Sequence, residues 1–368
     1  MKTLVLKPRR TGLDYAFVDD GRTEGVVEGA MDGEWDAEDG NDPMTRLRLQ
    51  CETEWRGAPV EKILRAAVVR GIYGGDEFSK PVVVDDQVER RLEAMASEAP
   101  LHMPILLSLL RRRREWLGGI PVALVFETSF FIGLPFRERS YALDPELTQR
   151  LKVRRYGFQG VFHESACRWF VRRRGLDPVR SRILSVCLEA RPEAAAVMGL
   201  RPVMATSGVT PLEGLPGQTS CGEMDPSIVL TLAQKLGWGP EQIDAVLTRE
   251  SGLSGLTGRE VNLDEVFMEG NKDAWLARDV FCYRLLQMAG SAAAVMGGLD
   301  GVVFSGRYAF VGRHITPWLR QRMGFLAGLE HGGVLFDYFT QSFAMALVDT
   351  AWLALRGTRD VRLHAGLI

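Results

Sequence analysis

Apolar residues along this chain fall into short runs, alternating or continuous, separated by charged and glycine-containing turns. The first run, Thr3 to Lys7, predicts a strand, and Pro8 to Gly12 a polar turn. Tyr15 to Val18 predicts a second strand, and Asp19-Asp-Gly21 is a strong turn signal. A third strand near Gly25 to Val27 completes a meander. Ala30 to Gly40, acidic and rich in glycine, reads as a surface loop. Val60 to Val69 carries apolar groups at helical spacing and ends at Gly71 and the Gly74-Gly75 pair, which predicts a helix. Pro104 to Trp116 predicts another helix, and Pro121 to Phe126 reads as a buried strand of the parallel-sheet type. Helix signals return at Pro145 to Val153 and Val161 to Arg174.

After Gly175 and Pro178 the opening pattern recurs. Arg182 to Leu188 is a strand, Glu189 to Glu193 a charged turn, Ala194 to Met198 a strand, and Pro202 to Thr206 another. Helices follow at Pro226 to Leu236, Pro240 to Arg249 and Ala274 to Met296, then a buried strand at Gly301 to Ser305. A last helix spans Phe336 to Leu355, and Arg356 to Ile368 is a short tail. The two halves share a pattern and negligible sequence identity. An internally duplicated α/β fold, mixed sheets with helices on their faces, is the most economical reading.

The long segment Gly208 to Pro226 lies between an apolar strand and a helix and is rich in glycine, proline and acidic residues. Asp225 is placed to cap that helix, with Pro226 in its first turn. A connection of this length inside a compact domain is usually functional or disordered, and ordered turn chemistry at both ends favours function.

Composition narrows the classes. At 368 residues the chain can form two domains, each with its own core. A formal charge of −2 gives no electrostatic case for nucleic acid or an anionic membrane as partner. The basic runs Arg111 to Arg114 and Arg172 to Arg174 sit in helical patterns and read as solvated faces. The 5 cysteines are scattered without CxxC spacing, which suits reduced thiols in a cytoplasm rather than a zinc site or redox pair. The start of the chain carries no signal-peptide pattern, and no apolar run approaches a membrane span.

Several stretches carry a more specific signal. They are Arg70-Gly-Ile-Tyr-Gly-Gly-Asp-Glu-Phe78, Ala99-Pro-Leu-His-Met-Pro104, Val122-Ala-Leu-Val-Phe-Glu-Thr-Ser-Phe130 and Arg154-Arg-Tyr-Gly-Phe-Gln-Gly-Val-Phe-His163. Thr210-Pro-Leu-Glu-Gly-Leu-Pro216, Glu250-Ser-Gly-Leu-Ser-Gly-Leu-Thr-Gly258 and Ala292-Ala-Ala-Val-Met-Gly-Gly-Leu-Asp300 follow. In this order, and over nearly the whole chain, they resemble the acetate and propionate kinase family of the sugar kinase, Hsp70 and actin superfamily. The resemblance implies two duplicated ribonuclease-H-like domains, residues 1–150 and 151–368, part of the C-terminal tail packing on the first. It also implies an interdomain cleft for ATP, Mg2+ and a short-chain carboxylate, a homodimer formed through the C-terminal domain, and transfer of phosphate between ATP and the carboxylate.

Residue by residue, the resemblance implies substrate binding by Arg70 and His102. It implies a catalytic, metal-facing carboxylate at Glu127, one methylene longer than the family's aspartate, and a nucleotide-side histidine at His163. Other positions depart from the family. Its first phosphate turn, rich in glycine and serine, is Lys7-Pro-Arg-Arg-Thr-Gly12 here, where proline lacks an N–H and the arginines are bulky. Its second is Cys187-Leu-Glu-Ala-Arg191, in which Glu189 repels phosphate. A catalytic histidine is replaced by Gln159. The arginine that stabilises the migrating phosphoryl group is replaced by Ser220. The adenosine segment reads Ser305-Gly-Arg-Tyr-Ala-Phe-Val311, leaving Asn262, Gly306 and Arg307 at nucleotide positions. The family's closing acidic, metal-holding segment has no counterpart.

Three function classes follow. The chain is a kinase in which Arg9, Arg10 and Arg191 (with Lys7) replace the missing phosphate donors. Or it is a member with lost or strongly reduced kinase activity that keeps small-ligand binding or a regulatory role. Or it is a structural partner of an active kinase. The altered phosphate turns favour the second.

Overall fold

The computed structural model describes residues 2–19, 26–37, 41–100, 102–268, 272–324 and 333–355. The chain forms two compact units: Met1–Ser129 together with Gln341–Ile368, and Phe130–Thr340. The helix Pro145–Leu151 therefore belongs to the second unit, on the far side of the division from where a 1–150 boundary puts it.

The first unit is built on a six-stranded mixed sheet of order β3-β2-β1-β4-β6-β5. Its strands are β1 Lys2–Arg9, β2 Gly12–Asp19, β3 Val26–Asp32, β4 Leu64–Gly71, β5 Val82–Val83 and β6 Val122–Phe126. β1, β2 and β3 form an antiparallel meander, and β1, β4 and β6 run parallel. Helices Pro43–Glu54 and Met103–Arg112 pack on the meander, and helix Phe343–Leu355 packs on β1, β2, β4, β5 and β6.

The second unit repeats this connectivity in a five-stranded sheet of order β11-β10-β7-β8-β9. Here β7 is Arg182–Cys187, β8 Glu193–Met198, β9 Arg201–Ala205, β10 Gly301–Ser305 and β11 Leu335–Tyr338. Again an antiparallel meander (β7, β8, β9) adjoins parallel strands (β7, β10, β11). The helix Gly160–Arg174 covers β7 and β10, and the helix Lys272–Met296 packs on β7, β8 and β9. Leu184, Val186, Phe281, Leu285, Val302 and Phe304, all at 0% exposure, form the centre of its core. Asp300 ties the two parallel strands at their starts, accepting from the Arg182 backbone N–H at 2.7 Å and its guanidinium at 2.7 Å.

Four expectations need correction. Val60 to Val69 is not a helix: a short turn of helix, Val60–Ile63, leads into β4. A strand buried on both faces shows a continuous apolar run instead of alternation, so periodicity alone does not separate it from helix. The last helix starts at Phe343, because Leu335–Tyr338 pairs in parallel with β10 as β11. β3 continues through Asp32 into the supposed loop, held by pairing with β2. The helix expected over Pro104 to Trp116 is divided at Arg113. A further helix, Pro43–Glu54, carries its own start signal: Asp42 accepts from the Met44 and Thr45 amides and Pro43 fills its first turn. The turn at Asp20 and Gly21, residues 38–40 and the tail from Arg356 lie outside the described residues. Among the described residues no helix is long and apolar enough to cross a membrane.

A Cβ on Gly301 would lie 2.4 Å from Cζ of the fully buried Phe170. Gly301→Ala is expected to destabilise the second unit by about 1–3 kcal/mol through overpacking. Urea unfolding followed by tryptophan fluorescence checks this, and an unchanged midpoint would show that the helix Gly160–Arg174 can shift freely.

Candidate functional site

In the first unit the expected residues gather at the carboxyl ends of the parallel strands. Arg70 is the penultimate residue of β4, and Glu127 directly follows β6. Arg70 Nε donates to Glu127 Oε1 at 2.7 Å, with the Glu127 side chain fully buried and that of Arg70 26% exposed. The guanidinium lies over the ring of Phe343, 5.2 Å from its centroid, and Lys7 Nζ lies 5.7 Å from the same centroid. Gly71 and Gly74 permit this crowding, because a Cβ on either would strike the ring of Phe126. The Gly74 amide donates to Thr128 Oγ1 at 3.0 Å, so the segment after β4 is fastened to the one after β6.

His102 stands half-buried at the start of the helix Met103–Arg112, its side chain making no capping bond. Arg9 is committed within its own meander, with Nε 2.8 Å from Asp14 of β2 and Nη2 2.8 Å from Asp32 of β3. Arg10 is exposed in the two-residue turn between β1 and β2.

In the second unit two turns meet at the carboxyl ends of β7 and β10. Leu188 N donates to Ser305 O at 2.8 Å, and Tyr308 N to Leu188 O at 3.0 Å. Gly306 has φ +88°, and a Cβ there would lie 2.6 Å from Leu188 O, so the contact requires glycine. Glu189 Oε1 accepts from the Arg307 backbone N–H at 2.7 Å. The carboxylate thus occupies an amide of the very turn expected to face nucleotide. Gln218 Nε2 reaches Tyr308 Oη at 3.0 Å and Asn262 Oδ1 at 3.3 Å, bringing Asn262 to the same rim. Arg191 and the Arg307 side chain are exposed.

The Gly208 to Pro226 segment is ordered and largely inward. Gly217 N donates to Ser220 O at 3.0 Å, Leu253 N to Gly217 O, Ser254 N to Gln218 O and Ser251 N to Thr219 O. Ser220 is 1% exposed, so the residue at the expected arginine position is enclosed within the loop. Asp225 accepts from the Ser227 amide and hydroxyl rather than from deeper in the helix.

Gln159 adopts a left-handed conformation, φ 53° and ψ 23°, just before the helix Gly160–Arg174. The preceding Phe158 amide is held by both oxygens of Glu193 at 3.0 Å. His163 is fully buried, its Nδ1 2.8 Å from Ser185 Oγ and its Nε2 3.8 Å from Glu193 Oε2. Its surroundings are those of a core histidine. Glu193 was not anticipated. The one signal for it is an acid opening the otherwise apolar strand β8. Burial raises its carboxyl above the usual range, opposed by His163, the Phe158 amide and Ser207. Phe343 was likewise not marked by motif, and within the segments that were, Gln218 and Tyr308 were not singled out.

The donor set does not fit a protein-held Mg2+ ion. Glu127, the carboxylate expected to face one, is fully buried and bonded to Arg70. Among the described residues no three His, Cys, Asp or Glu side chains group to hold a metal.

Two sheets with one repeated strand pattern, flanked by helices, define the actin-like ATPase fold. Similarity to solved structures agrees: TM-score 0.82 with acetate kinase from Porphyromonas gingivalis, at 22% identity, covering 96% of this chain and 99% of that one. A propionate kinase from Francisella tularensis gives 0.78 at 21% identity, over 95% and 98%. A sequence model described as the Acetokinase family matches residues 58–337. The chain is 34% identical over 273 residues to acetate kinase from Syntrophobacter fumaroxidans, 73% of this chain and 64% of that protein. It is 36% identical over 273 residues to acetate kinase from Dictyoglomus thermophilum, 73% and 66%. The chain belongs to the acetokinase family, and its match spans a little under two thirds of these relatives' length.

A raised carboxyl pKa in the fold means that the native state holds the Glu193 proton more tightly than the unfolded chain does. The contribution of Glu193 to stability is therefore full below its ordinary value of 4.5 and falls as pH rises through the window above it. Glu193→Gln is expected to flatten this slope while keeping the bond from Phe158. Glu193→Ala should cost about 1–3 kcal/mol by stranding that amide. Thermal melts from pH 4 to 8 check both, and a wild-type slope unchanged in Glu193→Gln would refute the assignment.

Proposed function

We propose that this acetokinase-family protein holds a small carboxylate at Arg70 in its first unit and has lost, or very strongly reduced, phosphoryl transfer from ATP. The observation that carries this is the turn after β7, where Glu189 accepts the Arg307 amide at 2.7 Å. Phosphoryl transfer depends on donors and cations preorganised around the migrating group, with little covalent help from the protein. A carboxylate seated on the turn amide opposes that charge. The enclosure of Ser220 adds to it, because losing one such donor costs roughly a hundred- to a thousand-fold in rate. Arg9, a candidate replacement donor, is neutralised by Asp14 and Asp32. His102 and the open edge of Arg70 serve the carboxylate in this reading, and Gln159 supplies a neutral hydrogen bond.

A second reading is an active carboxylate kinase using ATP with altered phosphate turns. It is favoured by identities of 34–36% to proteins named acetate kinase. In that reading Arg10 and Arg191, both exposed, supply phosphate contacts.

We also propose that two copies pair through the second unit. The helix Ser227–Leu236 has no buried residue, yet presents Ile228, Leu230 and Leu236 at 44, 60 and 54% exposure. Large apolar side chains left exposed along a helix in this number are characteristic of an interaction surface.

Calorimetric titration with ATP–Mg2+ and ADP, alongside a hydroxamate assay for acyl phosphate with short carboxylates, separates the first two readings. The expected results are no micromolar nucleotide affinity and turnover at the blank level. Micromolar binding with clear turnover would establish the second reading. For the pairing, sedimentation should give a dimer for the wild type and a monomer for Leu230→Asp. A wild-type monomer at tens of micromolar would dismiss it.

A further inference from the structure

The carboxyl ends of β1 and β4 carry two cations side by side. The strands are parallel neighbours, with Leu6 paired to Val69, so Lys7 and Arg70 follow one step beyond on adjacent backbones about 4.8 Å apart. Both side chains lie against one ring, that of Phe343, at 5.7 and 5.2 Å. Such contacts fix where a cation sits without neutralising it.

The acids nearby are already committed. Glu127 takes Arg70 Nε, and no described hydrogen bond takes the two terminal nitrogens of the guanidinium. Asp14 stands opposite Lys7 across the β1–β2 ladder, but its carboxylate is held by Arg9 at 2.8 Å. Among the described residues Lys7 makes no ion pair, and its one described contact of this kind is the Phe343 ring. Two cations therefore share one ring, and the one carboxylate beside them is bonded to Arg70. Their open donors, three on the ammonium and a fork on the guanidinium, suit an anion with more than one negative oxygen pair.

We propose that Lys7, Arg70 and Phe343 form a site selective for a small dianion, either a dicarboxylate or a phosphate group, over a monocarboxylate. The inference rests on the reading of Arg70 as the residue that holds a carboxylate. Lys7 engages the second negative group, and the Phe343 ring sets the spacing of the two cations. The protein thereby supplies from its own side chains a positive charge at a place where its acidic residues do not fit a metal ion.

The test is isothermal titration of the full-length protein with succinate, inorganic phosphate and acetate at equal, low ionic strength. At least one dianion should bind about tenfold or more tightly than acetate, the scale of one charge-assisted hydrogen bond. Preference for succinate assigns the dicarboxylate, and preference for phosphate assigns the phosphate group. Lys7→Met keeps the stem that packs on Phe343 and should weaken the preferred dianion at least tenfold. Phe343→Ala should weaken it severalfold, with thermal melts confirming that both variants fold. Acetate binding as tightly as both dianions, or Lys7→Met leaving dianion affinity unchanged, would overturn the inference while the carboxylate reading stands. No binding of any of the three anions would overturn both.

Discussion

Each unit withdraws a carboxylate completely from water, and much of the candidate site is arranged to compensate it. An uncompensated buried charge costs several kcal/mol, so it must be paired or neutralised where it lies. Glu127 meets this through Arg70, which fixes the guanidinium at the end of β4 and aligns the segments after β4 and β6. Glu193 meets it through the Phe158 amide, with His163 close by, and so positions the turn that puts Gln159 in the left-handed region. In the first unit the carboxylate that looks available for chemistry, Glu127, is first a structural one.

The same economy governs the turns. At the ends of β7 and β10 the backbone is drawn tight by Gly306 and by the mutual bonds of Leu188, Ser305 and Tyr308. That closeness is what a phosphate-binding turn requires. Here Glu189 takes the Arg307 amide, and a side chain of the opposite character to a phosphate donor completes the turn. The long Gly208 to Pro226 segment is ordered because its middle is bonded to residues 251–254, which encloses Ser220.

Local signals marked the two antiparallel meanders, most of the longer helices and the family. The buried strand Gly301–Ser305 and the helices Pro240–Arg249 and Gly160–Arg174 are legible because apolar runs end at glycine, proline or charge. β4 was not legible: with both faces covered, Ala66 to Val69 is apolar without alternation, and only pairing with β1 and β6 makes it a strand. β11 was hidden for a related reason, since its edge position depends on β10.

For the site, the sequence alone determined which residue types stand at which motif positions, because covalent order suffices for that. Arg70, Glu127, Gln159, Glu189 and Ser220 are all read from it directly. Only the tertiary structure decided which of them are committed. Arg9 to Asp14 and Asp32, Glu127 to Arg70 and Glu193 to the Phe158 amide are contacts between residues distant along the chain or set by strand register. Phe343 is the sharpest case: no motif marks it, yet it places Lys7 and Arg70 on one ring. Desolvation and pairing depend on neighbours in space, and those neighbours are fixed by the packing of sheet and helix rather than by sequence spacing.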